Sequence, residues 1–285
     1  MRVFVLGNAQ RPQVTHEAEH LLPLIRQYFE VVVCDLEQKV ALDARQADLA
    51  FVLGGDGAIL RAAHQMGYQQ VPILGINLGK LGFLADVHPE QVRDYLPLVA
   101  AGRYRITSHL MYECEVHKPS GVQRFLGLNE VVVYNGPPFQ LIEIEVLIAG
   151  ELACSFYGDG VIVSTPIGST AHNLSAGGPI LHQELSAFVI TPICAHMLSN
   201  RSLVDEADKV YEIRVRHATA GTTLVVDGRH LVALTPDDRV VLRPAPVRFR
   251  LVKVAQSYYR TLRDKLSWST PPRYRHEPPD HSERT

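Results

Sequence analysis

Leu49-Ala50-Phe51-Val52-Leu53-Gly54-Gly55-Asp56-Gly57 decides the fold. Five consecutive apolar residues make a strand buried on both faces, and three glycines around one carboxylate make the tight turn that ends it. Glycine lets a backbone approach a ligand closely, so successive N–H groups at the mouth of the next helix form an anion cradle. Phosphate is the expected guest. Asp56 is then out of place, because a carboxylate repels phosphate unless its charge has a task, as a general base or a metal contact. The competing reading is an ordinary strand-to-helix turn in which Asp56 caps a helix starting near Ala58.

Around this stretch the N-terminal sequence alternates strands and helices. A β-rich run over 2–6 is followed by a helical pattern with Ala18, Leu21, Leu22 and Ile25 on one face. Val31-Val32-Val33-Cys34, residues 48–53 and Pro72-Ile73-Leu74-Gly75-Ile76 are further strands, with helices expected from Ala58 to Met66 and after Pro89. Such alternation means an open parallel α/β sheet whose ligand lies beyond the carboxyl ends of the strands. Asn77-Leu78-Gly79-Lys80-Leu81-Gly82-Phe83 falls at that rim beside the first glycine turn.

Beyond residues 102–107 the period changes to two, as in Leu141-Ile142-Glu143-Ile144-Glu145-Val146-Leu147-Ile148. The expected architecture is an α/β N-terminal domain with an open parallel sheet (1–104) plus an all-β, sandwich-like C-terminal domain (105–252). Residues 165–179, rich in small side chains, interrupt the β pattern as a loop that enters a helix and leaves through Gly177-Gly178. Residues 253–269 regain helical spacing through Tyr258, Leu262 and Leu266 and are expected to pack back onto the first domain. The proline-rich end, 270–285, is expected to be a disordered tail.

Composition narrows the class. In 285 residues, 46% are hydrophobic and 20% charged, as in an ordinary globular protein, and the net charge of −2 supplies no field for nucleic acid or an anionic membrane. Four cysteines, widely spaced and set in or beside apolar runs, are expected to be buried free thiols in a cytoplasmic protein. No zinc site is expected of the histidines. There is no Gly-x-x-x-x-Gly-Lys-Ser/Thr loop, no dinucleotide Gly-x-Gly-x-x-Gly after the first strand, and no Gly-x-Ser-x-Gly elbow. Phosphate chemistry without a P-loop survives. Two further carboxylates fit it: Asn129-Glu130 opens a strand and can grip the hydroxyls of a ribose, or is a plain strand start; Asp159 lies between glycines that expose it.

The chain resembles the NAD kinases. The likeness rests on Gly54-Gly55-Asp56-Gly57, Asn77-x-Gly79-x-Leu81-Gly82-Phe83, Leu128-Asn129-Glu130, Asp159-Gly160, Ser164-Thr165-Pro166-x-Gly168-Ser169-Thr170, Leu174-Ser175-Ala176-Gly177-Gly178-Pro179, Thr191-Pro192-Ile193-Cys194 with Ser199-Asn200-Arg201, and Leu262-Arg263-x-Lys265-Leu266, all in the family's order. The resemblance implies that Asp56 takes the proton from the adenosine 2′-hydroxyl of NAD, which attacks the γ-phosphorus of ATP. It implies phosphate contacts from Gly54, Gly55 and Gly57, with Mg²⁺ or another divalent ion bound to ATP. Asn129 and Glu130 would hold a ribose, and Asp159 with Ala171 the nicotinamide carboxamide. Thr170, Asn173, Leu174 and Ser175 would line the adenine pocket, with Phe83, Arg61 and Arg229 in contact with substrate. It further implies a homodimer or homotetramer.

Some positions depart from the family's pattern: Ala58 stands for the usual Thr, His172 for a stacking Tyr, Tyr157 for Arg, Arg229 for Gln, and Gln140 for a basic residue. A catalytically silent NAD(P)(H)-binding sensor is one rival, favoured by Ala58 and His172 and opposed by Asp56. A lipid or diacylglycerol kinase, which shares the glycine-Asp-glycine turn, is another.

Overall fold

The computed structural model describes residues 1–266 except 43, 80, 81, 86, 198 and 255–257; the expected tail at 270–285 lies outside the described residues. The chain begins β1 (Arg2–Leu6), α1 (Pro12–Tyr28), β2 (Glu30–Asp35), β3 (Leu49–Leu53), α2 (Asp56–Met66), β4 (Ile73–Ile76) and α3 (Pro89–Ala100). Proline opens α1 and α3, where its missing N–H costs nothing and its fixed φ suits a first turn. β2, β1, β3 and β4 lie side by side in that order, all parallel. The winding reverses between β1 and β3, which opens a crevice at the strand ends.

β3 is buried along its whole length because helices cover both sides of the sheet. Leu49, Phe51 and Leu53 pack with Val14, Leu21, Ile25 and Leu96 of α1 and α3. Ala50 and Val52 join Ala58, Ile59 and Ala62 of α2, in a core that also takes in Leu128 and Ile167. Each such large apolar side chain contributes roughly 1.5–3 kcal/mol by leaving water. The glycine turn and the Asn129 corner thus stand on one core.

The rest of the chain is β5 (Arg105–Lys118), β6 (Gly121–Gly127), β7 (Glu130–Tyr134), β8 (Ile142–Ile148), β9 (Glu151–Gly158), β10 (Gly160–Ser164), α4 (His172–Ser175), β11 (Ala187–Ile193), β12 (Leu203–Glu206), β13 (Tyr211–His217), β14 (Thr223–Val226), β15 (His230–Ala233), β16 (Arg239–Lys253) and α5 (Tyr258–Leu266). One antiparallel sheet runs β12-β11-β10-β7-β14-β15. Facing it, β16 pairs antiparallel with β5 and β13, and the sheet continues through β8 to β9. Tyr112, Ile144, Phe156 and Leu242 of the second sheet meet Val131, Val163, Phe188 and Leu224 of the first, which makes the expected sandwich.

Two expectations change. The parallel sheet is not separate, since Leu251 of β16 pairs in parallel with Ile73 of β4 and fuses it to one face of the sandwich. Of the cysteines only Cys114 is buried; Cys34 and Cys194 are exposed and Cys154 is intermediate. Cys34 sits on the outermost parallel strand and Cys194 in the turn after β11, where an apolar neighbourhood in sequence is not one in space.

Candidate active site

α2 begins at Asp56 rather than Ala58, with Gly55 as N-cap and no side-chain cap bond. Asp56 therefore does not serve its own helix. Its carboxylate crosses to the second glycine loop, where Oδ2 accepts the N–H of Phe83 at 2.8 Å and Oδ1 those of Leu84 at 2.9 Å and Ala85 at 3.4 Å. Gly82 permits this approach: a Cβ there would collide with Asp56 Oδ1. From α5, Lys265 brings Nζ to 3.3 Å from Oδ2 and lies 4.0 Å over the Phe83 ring. The two loops meet because β3 and β4 are neighbours, with Gly54 N–H on Ile76 O at 2.9 Å. Gly54 itself has φ +136° and space for no side chain, since a Cβ would stand 2.7 Å from that of Ala58.

The second corner is at Asn129 and Glu130. Glu130 is 7% exposed, its Oε2 has no hydrogen-bond partner among the described residues, and burial with the nearby charge of Asp227 pushes its pKa up to about 8. The backbone N–H of His172 faces it. A buried acid with a free oxygen is built to meet something polar. The corner is held by Asp227, in the turn between β14 and β15. Its carboxylate accepts the N–H groups of Leu128 (2.7 Å), Asn129 and Glu130 (both 2.9 Å), the Tyr112 hydroxyl (2.8 Å) and His64 Nε2 (2.8 Å). His64 belongs to α2, so this carboxylate ties the Asn129 corner to the helix that starts at Asp56.

The other expected residues fall along β7 and the small-residue segment. Asp159 is partly exposed, and Oδ1 accepts Asn135 Nδ2 at 3.0 Å. Its flanking glycines serve close packing rather than exposure: a Cβ on Gly160 would strike the Val133 carbonyl. His172 is already stacked on Tyr134, with ring centroids 5.7 Å apart and Tyr134 Oη 2.9 Å from Nδ1. Thr170, Ala171, Leu174 and Ser175 keep partly or fully exposed positions beside it. Asn173 departs from its expected role. It is fully buried, with Nδ2 on Ser169 O and Pro179 O and Oδ1 accepting Thr191, so it locks the segment internally. Arg61 and Arg229 stand together in a cleft on the far side of α2 from the buried face.

Sequence reading missed Asp227, Tyr134 and the contact made by Lys265. Only the Asp227-Gly228 hairpin signal was visible, and it marks a turn, not a hub. It also passed over His16-Glu17-Ala18-Glu19-His20, which has the spacing of a zinc-binding helix. Those two imidazoles lie exposed on α1 with centroids 4.7 Å apart, and among the described residues no third ligand joins them.

Two family models match, the ATP-NAD kinase N-terminal domain over residues 12–104 and the ATP-NAD kinase C-terminal domain over 128–254. The NAD kinase of Rhodopirellula baltica is 46% identical over 270 residues, 94% of this chain and 87% of that protein. The chain belongs to the NAD kinase family. The crystal structure of an NAD kinase from Archaeoglobus fulgidus in complex with ATP superposes with a TM-score of 0.76 at 25% identity, over 94% of this chain and 99% of that one. That of yeast NADH kinase complexed with NADH has a TM-score of 0.84 over 96% of this chain and 89% of that one; at 21% identity it bears on the fold alone. Ala58, just after the glycine turn, is buried in the core that also holds Leu128 and Ile167, so its methyl serves packing.

Proposed function

We propose that the chain transfers the γ-phosphoryl group of ATP to the adenosine 2′-hydroxyl of NAD, giving NADP. The observation that carries this is the placement of Asp56: a partly exposed carboxylate held by a second glycine loop at the mouth of α2, on the same core as the Glu130 corner. Asp56 accepts the hydroxyl proton. The long contact to Lys265 is the one the hydroxyl replaces, which frees an ammonium for the phosphates. The N–H groups at Gly55 and Gly57 donate to phosphate oxygens, while Gly54, whose own N–H is held by Ile76 O, lets the phosphates approach the backbone; Asn129 and Glu130 hold a ribose, with Glu130 donating when protonated.

A divalent ion such as Mg²⁺ accompanies ATP and neutralises charge on its oxygens. The donor set fits an ion carried by the nucleotide: among the described residues no group of three metal ligands exists, and Mg²⁺ needs only one or two carboxylates beside phosphates and waters. Asp56 is the carboxylate at the turn. Phe83 and Thr170 flank the substrate, while Asp159, Ala171, Leu174 and Ser175 extend its pocket along β7. We place the protein in the cytoplasm as a homodimer or homotetramer, divided near residue 104 with α5 returning to the first part. The test is a coupled NADP-production assay with ATP and Mg²⁺, run on NAD and NADH separately. No product from either would leave the sensor reading.

A further inference from the structure

One group of metal-ligating side chains lies outside the site. His16-Glu17-Ala18-Glu19-His20 places two imidazoles a helical turn apart, and on α1 residues four apart share a face. Val14, Ala18, Leu21 and Ile25 take the opposite face into the core, which leaves His16 and His20 exposed. Their rings meet edge to face with centroids 4.7 Å apart. Among the described residues neither ring makes a hydrogen bond or an ion pair, so their nitrogens are uncommitted. The other close imidazole pair differs: His64 lies 6.2 Å from His230, but its Nε2 is spent on Asp227. Carboxylates flank the α1 pair, since Glu19 stands three residues after His16 and Glu17 three before His20. Neither carboxylate has an ion pair among the described residues, so both draw cations toward the rings without completing a set of three ligands.

We propose that His16 and His20 clamp one divalent transition-metal ion, of the Cu²⁺, Ni²⁺ or Zn²⁺ class, on the outer face of α1. Imidazole nitrogen selects these ions over Mg²⁺, which takes oxygen ligands. Two rings on one helix are pre-organised, because the first nitrogen to bind holds the ion beside the second. Water fills the other positions. The chemistry is binding rather than hydrolysis: a catalytic metal needs a third protein ligand and a cleft around its substrate, and these rings face solvent. The clamp also bears on α1 itself. Pro23 lies inside this helix and has no N–H to offer the Glu19 carbonyl, so a helical bond is missing where the clamped turn ends. An ion that spans 16 to 20 ties the turn before that gap. None of this rests on the kinase reading.

Nickel chloride, titrated calorimetrically into the full chain without nucleotide, tests the clamp. Wild type binds one Ni²⁺ per chain at sub-millimolar concentration, and excess Mg²⁺ does not displace it. His16→Ala and His20→Ala each lose about tenfold or more in affinity, because a single imidazole remains. Ni²⁺ raises the melting temperature of wild type, and in the double variant that rise disappears while the metal-free melting temperature is kept. Exposed Cys34 and Cys194 are the competing ligands. The double variant Cys34→Ser/Cys194→Ser keeps the Ni²⁺ affinity of wild type, and its Cu²⁺ form shows hyperfine splitting from two nitrogens in electron paramagnetic resonance. No binding by wild type, displacement by Mg²⁺, unchanged affinity in either histidine variant, loss of binding in the cysteine variant, or a spectrum without two coupled nitrogens overturns the proposal.

Discussion

The turn at Asp56 and the corner at Glu130 use carboxylates in opposite ways. Asp56 is about one-third exposed and surrounded by donors, three N–H groups of one loop and an ammonium from the far end of the chain. Glu130 is buried, short of donors and close to another carboxylate, Asp227. Between them Asp227 is buried and saturated with five donors. The contrast teaches that burial alone does not give a carboxylate its role. The supply of donors decides whether it is held accessible at a turn, serves as a structural tie or is left with an unpartnered oxygen.

The sharpest break in that comparison is Asp56→Asn. It keeps the shape but cannot take a proton, so kcat falls by about 10²–10⁴ while NAD affinity changes modestly, measured by NADP production and by titration. Near wild-type kcat would mean that the donors around Asp56 serve the loop and not the reaction. Next in size is Asp227→Ala, which strands three N–H groups, a hydroxyl and an imidazole. Denaturant unfolding is expected to show a loss of about 3–5 kcal/mol, and a loss below 1 kcal/mol would deny the hub.

Gly82→Ala moves the comparison by geometry alone. The new methyl meets Asp56 Oδ1 and pushes the carboxylate off its loop, so kcat drops about 10²-fold with the fold retained by circular dichroism. An unaffected kcat would show that the position of Asp56 is not critical. The smallest effect concerns Glu130 and pH. Its carboxyl ionises near 4.5 when unfolded and near 8 when folded, so the native state holds an extra proton between those values. Stability from this group is therefore lost as pH rises through that window, by up to about 1.4 kcal/mol per pH unit, and levels off above it. Glu130→Gln removes the slope: relative to wild type its melting temperature improves from pH 5 to pH 8.5. Parallel curves would mean that Glu130 is already paired and ionised, and the contrast with Asp56 would vanish.

Local physics was legible in the residues themselves. The buried run 49–53 announced a two-faced strand, period two announced the sandwich strands, and Gly54-Gly55-Asp56-Gly57 announced the tight turn between β3 and α2, because side-chain period and glycine's φ freedom act within a few residues. The ordered motifs likewise carried the family. What the chain alone did not disclose are the partners of its carboxylates. Asp227 finds its donors 97 to 163 residues away, Asp56 meets Lys265 across 209, and Gly82 is glycine for the sake of an oxygen 26 positions earlier. Cysteines judged buried by their neighbours in sequence proved exposed, and Asn173, expected to touch substrate, is spent inside its own loop. Sequence fixes what each segment can form; only the packed chain brings together donors and acceptors that no local pattern links, and those pairings set the charge and reach of the site.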